Sequence, residues 1–81
     1  MEDYAVIATY RTVFLLNKNH EPLSENEQLK RQSDPIYQAK FRQQLNDLLK
    51  DIKDKYPSVA QQILDKGERL IGSFNAVKAM S

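Results

Sequence analysis

Two prolines, Pro35 and Pro57, bracket the segment that most constrains what this chain can become. Between them, apolar residues recur at Tyr37, Phe41, Leu45, Leu48, Leu49, Ile52 and Tyr56, the spacing of one face of an α-helix. Asp34 stands where an N-cap belongs, and Pro35 at the first helical position costs nothing, because that N–H has no intrahelical partner anyway. Tyr56 precedes a proline, which pushes its backbone out of the α region, so the helix should stop there. The pairs Asp47/Lys50 and Asp51/Lys55 add weak surface support at helical spacings. The pattern predicts a helix over 35–56.

A second periodic run follows at once and predicts a helix over 58–79. Its apolar positions are Val59, Ala60, Ile63, Leu64, Leu70, Ile71, Phe74, Val77 and Met80, and Gly67 falls on the same face. A glycine inside a helix costs about 1 kcal/mol relative to alanine. The phase persists across Gly67, which argues for one continuous helix. Gly67 is then either a weak point that kinks the helix or, with Ala60, a notch for a bulky side chain such as Phe41 or Phe14. Two long helices joined at Pro57 predict an antiparallel hairpin.

The first segment reads two ways. Val6, Ile7, Tyr10, Val13, Phe14 and Asn17 follow helical spacing, yet several residues here are β-branched, which suits a strand. Acidic Glu2 and Asp3 at the start and basic Lys18 and His20 at the end match a helix dipole. A lone strand would also have no partner strand, so a helix over about 3–18 is expected. Residues 19–33 form a polar connector. Within it Ser24 and Glu27 match a capping box and Glu27 can pair with Arg31, consistent with one short helix. The fold expected is all-α, a single domain over 1–81, a small three- or four-helix bundle built on the hairpin.

An 81-residue chain is near the lower limit for a self-sufficient core. With no cysteine, disulfides and thiolate metal sites are excluded. A single histidine, His20, argues against a zinc site and reads as a solvated residue at a helix end. No run approaches the roughly 20 apolar residues of a membrane span. Glu2 and Asp3 give the start the wrong sign for a secretory signal, so a cytoplasmic location is expected.

No constellation implies catalysis, a cofactor or a small-molecule ligand. Asp47, Asp51 and Asp54 share a face with Lys50 and Lys53, the pattern of a solvated surface and not of acids with separated pKa values. Gln38, Gln43, Gln44, Gln61 and Gln62 read as exposed. The aromatic stripe of Tyr37, Phe41 and Tyr56 reads as core, with Tyr56 at the hairpin tip the one expected in solvent. Lys30, Arg31, Lys40 and Arg42 form the segment a nucleic-acid reader would use, but a net charge of +1 counts against that role.

The Ser33-Asp34-Pro35 junction before a long helix resembles the Ser-Asp-Pro turn of type III secretion needle subunits. That resemblance covers three residues and implies a self-assembling structural subunit. The apolar first segment departs from that family's polar, glycine-containing N-terminus, and no residue role carries over. The wide apolar stripe of the last helix exceeds what so small a core can absorb. It points to a protein partner or a homodimer, with Tyr56, Leu70, Phe74 and Val77 as the candidate contact residues. The function expected is that of a non-enzymatic interaction module of the regulator, adaptor or inhibitor type.

Overall fold

A computed structural model describes the backbone of residues 2–80 and the side chains of residues 4–77. Five α-helices follow one another: α1 (Glu2–Tyr10), α2 (Glu25–Gln32), α3 (Pro35–Leu48), α4 (Lys50–Lys55) and α5 (Pro57–Met80). A π-helical segment, Arg11–Leu15, prolongs α1, and no strand occurs among the described residues. The chain is thus all-α. The dipole roles of Glu2 and Asp3 and the apolar position Met80 lie outside the described side chains.

The strand-like residues of the first segment leave their mark inside a helix. Thr9 and Thr12 turn their hydroxyls back onto the carbonyls of Ala5 and Ala8, at 2.8 and 3.0 Å. Such back-bonding competes for the acceptors that hold a regular helix and tends to bend it. Here the helix widens, and the Leu16 N–H reaches the Arg11 carbonyl, five residues back, at 3.0 Å. The helix also ends sooner than its charge pattern predicts. Leu16 is extended and bridges to Pro22, while Asn17 folds the next residues into a turn. Its Oδ1 accepts the N–H groups of Asn19 and Glu21, and His20 sits in the left-handed region at φ 62°. Asn17 outcompetes the helix because its side chain offers the following N–H groups a local acceptor.

Asp34 caps as the sequence suggests, and of the expected capping box the Ser24 half forms. Ser24 Oγ accepts the Glu27 N–H, and Asp34 Oδ1 accepts the Ile36 N–H at 2.9 Å. The predicted helix over 35–56 is broken at Leu49, which separates α3 from α4. Phe41, Leu45 and Leu49 are all fully buried at steps of four. On a regular helix that spacing drifts by about 40° per step around the axis, and Ile52, seven residues beyond Leu45, falls back onto the same face and also packs against the core. Leu48 lies on the far side of this drift and is exposed, as is Val59. Gln38 departs from its expected exposure too. It is buried, and its Nε2 donates to the Gln32 carbonyl and to Asn75 Oδ1, both at 2.9 Å, which satisfies both amide N–H donors.

α5 runs unbroken and packs against α1, α3 and α4. The core between them is built around Phe14, Phe41, Leu45, Leu49 and Ile71. At Gly67 α5 approaches α3 closely. A Cβ there would stand 2.7 Å from Leu45 Cδ2 and 3.2 Å from Phe41 Cε1, so a side chain at 67 would displace two fully buried neighbours. Gly72, on the same helix, has nothing within 4 Å of its Cβ position.

The two glycines should therefore respond oppositely to alanine. Gly72→Ala gains helix propensity alone and should stabilise by about 1 kcal/mol. Gly67→Ala gains the same propensity but overpacks the core, which costs about 1–3 kcal/mol, so a net loss is expected. Thermal unfolding should separate the two midpoints by several degrees, and equal midpoints would refute the close approach at Gly67.

Candidate functional site

The face of α1 that meets α5 does not close completely. Val6, Ile7 and Tyr10 on one helix and Leu70 on the other line an open groove of about 660 Å³, with Arg69, Lys66 and Ser73 along its α5 side. The spacing explains the shape. Residues 66, 69, 70 and 73 are neighbours on one helical face, as are 6, 7 and 10 on another. Val6 belongs to the buried core, and Tyr10 and Leu70 pack against it. Ile7 is 52% exposed, a large apolar side chain left at the groove's edge.

The four candidate contact residues do not come together. Leu70 contributes to the groove. Phe74 faces inward, stacked with Tyr10 at 5.9 Å between ring centroids and edge-on to Phe14 at 5.3 Å. Tyr56 and Val77 are 63% and 65% exposed. They flank α5 from opposite ends, about 30 Å apart at 1.5 Å per residue, and share no patch. Val6, Ile7 and Tyr10 complete the groove although sequence reasoning did not single them out as a site. Their signal was a helix apolar on more than one side, and the pairing of α1 with α5 was needed to turn it into a location.

The basic segment is divided in the same way. Arg42 pairs with Glu68 through two bonds, Nε to Oε1 at 2.7 Å and Nη2 to Oε2 at 3.0 Å, which tie α3 to α5. The hydrogen bond to Glu68, aided by its charge, raises the Arg42 pKa above its ordinary value. Both partners are about half exposed, so solvent limits the pair to about 1 kcal/mol or less. Lys30 is exposed on α2. Arg31 does not join Glu27 as expected. It crosses to the end of the first helical segment, where Nη1 donates to the carbonyls of Val13 and Leu16 at 3.3 and 3.4 Å. Its guanidinium lies 4.6 Å from the centroid of Tyr37, and Lys40 Nζ lies 4.9 Å from the same ring.

Arg31 and Lys40 share a cleft of about 270 Å³ with Lys18 and His20 of the Asn17 turn. His20 is exposed there. Among the described residues, no cluster of histidine, cysteine or acidic side chains could hold a metal ion, and no helix is long and apolar enough to cross a membrane.

Exposure separates the roles of two α5 residues. Val77→Lys should leave the unfolding free energy within about 0.5 kcal/mol of the parent, as surface changes usually do. Phe74→Lys places an ammonium among Tyr10 and Phe14 and should cost at least about 3 kcal/mol. Urea titration followed by circular dichroism measures both, and equal losses would contradict the inward placement of Phe74. No protein-family model, curated protein or solved structure matches this chain.

Proposed function

We propose that this chain is a non-enzymatic protein-interaction module, of the regulator, adaptor or inhibitor type, that receives an amphipathic helix of a partner protein in the groove between α1 and α5. The observation that carries this reading is Ile7, half in solvent beside Val6, Tyr10 and Leu70 in an open apolar groove. Helix-in-groove recognition uses apolar anchors repeated at three and four residues, and a trough between two helices suits such anchors. Arg69 on the groove's α5 side favours a partner whose helix carries acidic residues beside its apolar face. In this reading the scaffold is a small bundle built on the antiparallel hairpin of α3–α4 with α5. The protein works in the cytoplasm without a cofactor.

A nucleic-acid role through Lys30, Arg31, Lys40 and Arg42 has less support. Arg42 is neutralised by Glu68, and Arg31 is turned inward onto backbone carbonyls. Phosphate affinity grows with uncompensated charge, and these two residues offer little along an extended strand. Homodimerisation and filament growth remain distinct outcomes of the same test.

A photo-crosslinking amino acid at position 7, activated in native lysate, tests the groove directly. One discrete heteromeric adduct is expected, lost when Leu70 is replaced by alanine in a chain shown to stay folded, and absent when the probe sits at Lys55. An adduct of twice the monomer mass would replace the partner by a second copy. A ladder of larger species would indicate self-assembly. No adduct at position 7 would sink the interaction reading.

A further inference from the structure

The cleft beside Tyr37 concentrates positive charge in a molecule that is otherwise nearly balanced, with twelve basic and eleven acidic residues. Lys18, Arg31 and Lys40 line it with His20, and no carboxylate does. Elsewhere a basic side chain on α3 has its counter-charge, as Arg42 has Glu68. Here Arg31 and Lys40 instead crowd onto one aromatic ring, 4.6 and 4.9 Å from its centroid. A ring attracts each cation but does not cancel the repulsion between them.

Part of this charge is also held in place. Two backbone carbonyls and Tyr37 fix the Arg31 guanidinium, and its Nε is buried without a hydrogen-bond partner. Lys18 and His20 come from a turn that Asn17 Oδ1 locks from inside. That turn holds His20 in the left-handed region, a conformation that is unfavourable for a non-glycine residue. A fixed guanidinium beside a lysine on a locked turn and a lysine on α3 forms a partly preorganised anion site, because that share of the assembly cost is met in folding and not on binding.

We infer that this cleft binds a compact, multiply charged phosphate compound: a free phosphate ester or pyrophosphate. Its volume of about 270 Å³ admits such a group with a small substituent. It has no continuation as a basic stripe, since Lys30 and Arg42 do not line it, so an extended polynucleotide would gain little. The inference is independent of the α1–α5 groove, with which the cleft shares no lining residue.

The test is a titration of the isotope-labelled full chain with sodium pyrophosphate, read by amide NMR at ionic strength held constant with sodium chloride. Saturable shifts are expected at residues 17–21 and around Arg31, Tyr37 and Lys40, with an apparent Kd below about 1 mM. Lys18→Ala combined with Lys40→Ala should weaken binding at least about tenfold while spectral dispersion is retained, whereas Lys55→Ala should not change it. Both lysines are exposed, so the double variant keeps its core. Shifts that fail to saturate, that chloride reproduces, or that the Lys55 variant loses equally would overturn the inference. So would tighter binding of a single-stranded RNA that pyrophosphate cannot displace.

Discussion

The ring of Phe14 has no exposed surface, and three other rings surround it: Tyr10 at 5.8 Å, Phe41 at 5.7 Å and Phe74 at 5.3 Å. Those rings come from the first helical segment, α3 and α5, so a single side chain joins the parts of the chain that lie farthest apart in sequence. Aromatic pairs at these separations add roughly 0.5–1.5 kcal/mol each beyond their buried area. In a domain with no disulfide to supplement its core, such contacts are a large share of the available stability. The π-helical widening serves this cluster, because Phe14 lies within it and is buried together with Val13.

Around the cluster, polar side chains fasten the helix ends that the core cannot reach. Gln38 joins the last carbonyl of α2 to Asn75 on α5, and Arg31 closes two carbonyls where the first helical segment stops. Unpaired carbonyls at a helix terminus carry a desolvation cost when partly buried. These two residues meet it from other helices, so the polar contacts set how α2 docks as well as where it ends. Gln32 adds a bond to the Tyr10 hydroxyl at 3.3 Å, returning the connection to the aromatic cluster.

How far these arrangements could be read from sequence depends on the range of the forces involved. The helical class was legible because proline, capping residues and apolar spacing act within a few positions. The notch at Gly67 was legible as one of two alternatives, since a glycine on an apolar face implies either weakness or close approach. The break at Leu49 was not, because no proline, glycine or capping residue marks it in the sequence. Gln38 and Arg31 were read as surface residues for the same reason. Their acceptors lie on other helices and leave no local trace. Of the groove, only Leu70 was foreseen, since a trough between α1 and α5 exists only once those two helices meet.

The pairing of α1 with α5 has a consequence for how the molecule is made. Synthesis delivers α1 well before α5, its principal neighbour. Until the ribosome has released the segment carrying Ile71 and Phe74, the apolar side of α1 has only α3 to cover it. At synthesis rates of about 5–20 residues per second, that interval lasts seconds. During those seconds Phe14 and Tyr10 lack Phe74, one of the rings that covers them in the folded chain, so the order of the chain leaves this aromatic cluster incomplete until α5 is made.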